Sequence, residues 1–251
     1  MSRGYFIIDG FDSRNYGVYV NGAETFGAPK KEYTFYSVPA RNGDILGTEK
    51  RFENIQVNYH CFIYSGFNSN IKTFRNILLS RDGYVRLEDS YHANEYRMAA
   101  YTGEFDPDVL ATLNAGEFDI TFNCMPQRWL TSGETTTTIT DTSSHSFNNT
   151  TYFPAKPFLR AYGYGTITVG SYRIVIASYT GVSYIDIDCE RMDCYSGTRN
   201  MNSYVSIATN SINPTIIIDF PELKPKYTTS IKIADNSTLT KLEVTPRWWT
   251  L

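Results

Sequence analysis

The clearest periodicity in the chain covers residues 55–64. Ile55, Val57, Tyr59, Cys61 and Ile63 fall on one side, and Gln56, Asn58 and His60 fall on the other. Period two with one apolar face predicts a half-buried strand. Phe118, Ile120, Phe122 and Cys124 repeat the pattern. Tyr16, Val18 and Val20 predict a shorter strand between Asp9-Gly10 and Asn21-Gly22, both turn-forming dipeptides. A strand over 32–39 leads into the polar turn Arg41-Asn42-Gly43-Asp44. One segment changes period: Ile71, Phe74, Ile77 and Leu78 recur at three- and four-residue steps and predict a helix. Asn68 or Ser69 is placed to cap it, and Asp82-Gly83 to end it. Strands are expected at 84–87 and 96–101, and a single helical turn starting at Asp106-Pro107.

The pattern shifts near Trp129. Residues 131–151 are mostly Thr, Ser and Asn, which bury little apolar area and suit an exposed edge strand. Short alternating segments then return at 166–169, 172–177, 183–189, 203–208, 215–220, 230–234 and 239–245. Their even spacing predicts a second domain built as a sandwich or jelly roll. The expected division is 1–130 and 131–251, with the junction at 130–135.

Composition agrees with a β-rich protein. Of 251 residues, 15% are aromatic, among them 20 Tyr and 15 Phe, and strands favour such residues. A net charge of -3 gives no basic footprint for reading nucleic-acid sequence. No apolar run approaches the ~20 residues of a membrane helix, so no membrane insertion is expected. The apolar stretch 5–8 is shorter than a signal-peptide core, so the chain is expected to be made and kept in a cytoplasm.

Catalytic chemistry finds no footing. His60, His92 and His145 belong to no metal or nucleophile motif. Ser143-Ser144-His145-Ser146 puts hydroxyls beside an imidazole, but adjacency says nothing of triad geometry. Asp186, Asp188, Glu190 and Asp193 form the densest acidic group. Asp186 and Asp188 face away from Ile185 and Ile187, so a solvated strand face is expected, with a calcium site as the alternative. Cys61 and Cys124 read as buried hydrophobes. Cys189 and Cys194 can face each other across a hairpin. No enzyme, cofactor or resident metal is expected. The aromatic surplus leaves a carbohydrate-binding sandwich as an alternative function, since exposed Tyr and Trp stack on sugar rings.

Five stretches carry a family resemblance. They are 11–20 (Phe11-Asp12-Ser13 to Val20), Val38-Pro39-Ala40-Arg41-Asn42-Gly43-Asp44, 83–97 after the helix, 118–126 ending in Met125-Pro126, and a closing group. That group comprises 185–190, Phe220-Pro221-Glu222-Leu223-Lys224-Pro225 and Pro246-Arg247-Trp248-Trp249. In this order they resemble the distal tail protein (Dit) family of siphophages, the long-tailed non-contractile bacteriophages. Ala40 stands where the family usually has glycine, and Lys226-Tyr227-Thr228 departs from its usual loop. The resemblance implies a first-domain β-sandwich with one α-helix and a galectin-like or jelly-roll second domain. It implies a structural protein of the virion tail tip or baseplate, assembled in the host cytoplasm. Six copies would form a ring between the tail tube protein and the tail-associated hub protein. The ring would lie near the tape-measure protein and offer a platform to receptor-binding proteins, with DNA passing its lumen unread.

Two segments are expected at interfaces. Arg41, Asn42, Gly43 and Asp44 form either a plain hairpin turn or a contact with the next subunit, for which the planar fork of Arg41 is suited. Arg247, Trp248 and Trp249 lie near the terminus, where exposed aromatics are a hazard. They are expected either to complete the second sandwich or to cover the seam between domains.

Overall fold

A computed structural model of the chain describes residues 3–23, 25–209, 219–235 and 237–251. The described residues are mainly β with a single α-helix, as expected, and the chain divides into two units: Met1–Arg128 with Leu251, and Trp129–Thr250.

The first unit is organised by a large sheet. Its path runs through Phe11–Asp12, Phe6–Ile8, Val85–Asp89, Glu95–Tyr101, Ala115–Leu130, Ile55–Ile63 and Tyr19–Ala23. Asp9 and Gly10 both take positive φ, 49° and 78°, and join Ile8 to Phe11 in a two-residue hairpin. That geometry matches the right-handed twist of the flanking strands. The inner face of Ile55–Ile63 is buried at Val57, Tyr59, Cys61 and Ile63, as the alternation predicts. Phe6 packs on Tyr59, Phe122 and Phe74 with ring centroids 5.3, 5.7 and 6.2 Å apart. Phe74 comes from the helix Phe67–Leu79, which buries Phe67, Phe74 and Leu78 along one stripe.

Local expectations fail in four places, one of them the helix end: the helix stops at Leu79 with Ser80 as its C-cap, before Asp82-Gly83 is reached. Asn21-Gly22 is not a turn; it lies inside Tyr19–Ala23 at a register shift against Ile55–Ile63. Glycine in a strand often marks such a bulge. The strand starts at Tyr19 because a 3₁₀ turn, Ser13–Tyr16, precedes it and ends on Gly17 at φ 69°. The helix has Gly66 at its N-cap, and neither Asn68 nor Ser69 caps it. Asn114 does so from a distant loop: its carbonyl accepts from Phe67 N at 3.0 Å, and its Oδ1 accepts from Asn68 N at 3.0 Å. The helical turn expected at Asp106-Pro107 forms instead at Ala111–Leu113, after the short strand Asp108–Leu110.

The second unit is a sandwich. One sheet orders Thr137–Ile139, Lys241–Thr245, Phe158–Tyr162, Ile185–Asp188, Asp193–Ser196 and Arg199–Asn200. The other orders His145–Asn149, Tyr227–Ile233, Gly165–Val169, Tyr172–Ile176 and Val205–Thr209. Their facing side chains, among them Leu159, Ile167, Ile174, Ile187, Ile207 and Val244, form one continuous core. The Thr-rich stretch supplies the end strand of each sheet, as its composition suggests. Phe158–Tyr162, central in its sheet, carries no strong alternation and was not anticipated. Most of the strand expected at 215–220 lies outside the described residues.

Candidate interaction surfaces

The turn Arg41-Asn42-Gly43-Asp44 closes a separate two-stranded hairpin, Lys31–Tyr36 with Ile45–Phe52. All four turn residues are exposed, and Gly43 takes φ 79°. Ala40 also sits in the left-handed region, at φ 60°. That conformation costs an L-residue roughly 1–2 kcal/mol, which a glycine there would avoid. Beside the turn, Phe35 pairs with Leu46 and Tyr36 with Ile45. These side chains are 65%, 53%, 55% and 44% exposed. Successive strand residues point to opposite faces, so both faces of the hairpin tip are apolar and open to water. The sequence reading singled out the turn and missed these four neighbours.

The C-terminal residues Arg247, Trp248 and Trp249 dock within the second unit. Arg247 N donates to Gly133 O at 2.8 Å, and Leu130 N donates to Trp248 O at 2.9 Å. Gly133 is required by this approach: an added Cβ would lie 2.3 Å from Trp248 N. Trp249 stacks on Phe153 with centroids 4.4 Å apart and donates from Nε1 to Pro154 O at 2.9 Å. Arg247 reaches Asp188 through two hydrogen bonds of 2.6 and 3.2 Å.

That last contact corrects the reading of the acidic group. Asp186 and Asp188 are not on a solvated face; every residue of Ile185–Asp188 is buried. Arg160 covers Asp186 with bonds of 2.6 and 3.0 Å, from the position directly opposite in the neighbouring strand. Burial alone would raise the Asp188 carboxyl. Hydrogen bonds and charge from Arg247, with backbone N–H groups of Arg191 and Glu190, outweigh it and hold the group below its ordinary value. Both carboxylates are thus engaged by arginine, and among the described residues no His, Cys, Asp or Glu cluster is arranged for a metal.

The remaining candidates are structural too. His60 pairs across strands with Asp119, Nδ1 to Oδ1 2.7 Å. Asp141, Ser143 and His145 do meet, but both oxygens approach the same ring nitrogen: Nε2 is 2.9 Å from Asp141 Oδ1 and 3.3 Å from Ser143 Oγ. A relay needs the acid and the hydroxyl on opposite ring nitrogens. All four cysteines are buried and unbridged. Burial pushes the Cys124 thiol up to about 11 and Cys194 up to about 12, so neither offers a thiolate at neutral pH.

One polar knot lies inside the first unit. Asp89 accepts from Tyr59 Oη at 2.8 Å and from the backbone N–H groups of Tyr91 and His92, both at 2.9 Å. Burial, then the Asp89 charge, hold the Tyr59 phenol well above its usual value. Arg97 and Arg128 border the same void of about 10 Å³, the room of one water. Burial, then Arg128, push Arg97 down to about 10, still a cation at neutral pH. Asp89 and Glu95 balance the two arginines. This charge-balanced knot draws on four strands, and its void leaves no room for a substrate.

In the second unit an open groove of about 410 Å³ lies beside the end strands Thr137–Ile139 and His145–Asn149. Pro246 and Trp248 line it together with His145, Ser146 and Asn148. No described helix is long and apolar enough to cross a membrane.

Among solved structures, the fold recurs over the whole chain. The Dit protein of phage SPP1, presented as a paradigm of the hub adsorption apparatus in phages infecting Gram-positive bacteria, is 17% identical. The match has a TM-score of 0.62 and covers 100% of both chains. A chain from the phage P2 baseplate in its activated conformation with calcium is 14% identical, with a TM-score of 0.51 over 97% of each chain. No protein-family model and no curated protein matches the sequence. At such identities the likeness establishes a shared Dit-type fold.

Proposed function

We propose that the chain is a structural component of a bacteriophage tail tip or baseplate. Six copies close into a ring through the first unit, residues 1–130 in the sequence division. The ring joins the tail tube to the hub and host-recognition parts, and DNA crosses its lumen without sequence readout. The role is one of assembly and not of catalysis. The full-length Dit-type fold supports this reading.

The observation that carries it is the hairpin. An isolated two-stranded hairpin is marginal in water. This one exposes apolar pairs on both faces of its tip. A contact on one side alone would leave the other face wet, so the tip fits a slot in a neighbour. Knob and slot are different surfaces, which makes the contact heterologous, and such contacts close into rings when the rotation permits.

Arg41 tests the geometry of that contact. It is fully at the surface, and its backbone N–H bonds to Val38 O at 3.2 Å within the turn. Arg41→Ala should weaken assembly measurably in sedimentation at fixed concentration while leaving the chain's melting temperature in place. Loss of stability without loss of assembly would return the turn to a purely local role.

A further inference from the structure

We propose that the groove in the second unit is a binding site for a neutral saccharide. This goes beyond the assembly role and depends on residues of the second unit alone.

The chemistry of the lining selects the ligand. Trp248 is half-buried and supplies an aromatic surface beside Pro246. Its neighbour Trp249 spends its indole N–H on Pro154 O; Trp248 has no such bond among the described residues. The other lining residues include the uncharged polar Thr137, Ser146 and Asn148, together with His145. An indole in a groove of uncharged polar residues suits a pyranose, which has an apolar C–H face and a ring of hydroxyls. The His145 ring is held in place through Nε2 by Asp141 and Ser143, which leaves Nδ1 for a ligand.

Charge narrows the class. Among the described residues, no Lys, Arg, Asp or Glu lines the groove. The Asp141 carboxylate sits 2.9 Å from the His145 ring at the rim and disfavours an anion. Phosphate-bearing and acidic glycans are therefore poor ligands. A volume of about 410 Å³ falls within the usual range for small-ligand pockets.

The test is binding of the full chain to an array of neutral hexose and N-acetylhexosamine oligosaccharides, set beside phosphate-bearing glycans. Asn148→Ala and Ser146→Arg serve as variants, because both residues are exposed and outside the core. Binding is expected on neutral members, with at least a tenfold loss in each variant and unchanged melting curves. Any of three results would overturn the proposal: no neutral member bound, binding indifferent to both substitutions, or preference for the phosphate-bearing set. Ring formation lost in Ser146→Arg, with no sugar bound by the parent chain, would also overturn it and assign the groove to a neighbouring subunit. Loss of the ring in hairpin variants, with sugar binding intact, separates this site from the assembly role.

Discussion

Arg247→Ala should destabilise the second unit by about 3 kcal/mol, the lower end of the cost of breaking a buried ion pair. The Asp188 side chain is 3% exposed and the Arg247 side chain 27%. Truncation leaves a buried carboxylate with the weaker Arg191 contact at 3.8 Å and two backbone N–H groups. The reciprocal change, Asp188→Asn, should cost less, because Arg247 already reaches solvent and an amide keeps part of the bonding. The pH dependence follows with a definite sign. The folded Asp188 value lies below the ordinary carboxylate value of 3.8. Its contribution is therefore complete above the unfolded value and is lost as pH falls through the folded one. In Arg247→Ala, burial, already the largest single influence on the carboxyl, is no longer outweighed by Arg247, so acid sensitivity should move to higher pH. Melting curves between pH 6 and pH 2 decide this; curves that superimpose for parent and variant would refute the pairing.

The double change Phe35→Ser and Leu46→Ser should abolish ring assembly altogether. The two side chains pair across the hairpin and lie mostly in water within the single chain. Surface changes of this kind alter stability by about 0.5 kcal/mol or less. Their removal takes away apolar area that the ring contact alone would bury, at roughly 25 cal/mol per Å². Heat stability of the monomer should thus be preserved while the oligomer disappears in size-exclusion chromatography. Oligomers that persist would place the contact elsewhere on the first unit.

Legibility in the sequence followed locality. Alternation disclosed Ile55–Ile63 and the inner half of Ala115–Leu130, because each strand has one buried face. The helix was visible in the stripe ending at Phe74 and Leu78. Its cap was not, since Asn114 acts from 46 residues away. Ile185–Asp188 misled for a similar reason. Alternating Ile and Asp imitates one wet face, whereas Arg160 and the distant Arg247 cover that face with their own side chains. Asn21-Gly22 reads as a turn by composition, and only the partner strand makes it a bulge.

The interaction surfaces divided in the same way. Arg41-Asn42-Gly43-Asp44 was legible as a turn because its residue types demand special backbone angles. The apolar hairpin tip was hidden, since exposure is a property of the fold and not of Phe35 or Leu46 themselves. The groove residues were hidden further: Thr137, Ser146 and Asn148 lie in a stretch that reads as polar filler, and Pro246 and Trp248 join them from about 100 residues downstream.

The ring is tested most directly by the light-scattering mass of the purified full chain across a concentration series. The account predicts a species of six times the 28.6 kDa chain mass that grows with concentration at the expense of smaller ones. A mass equal to one chain at every concentration would contradict it.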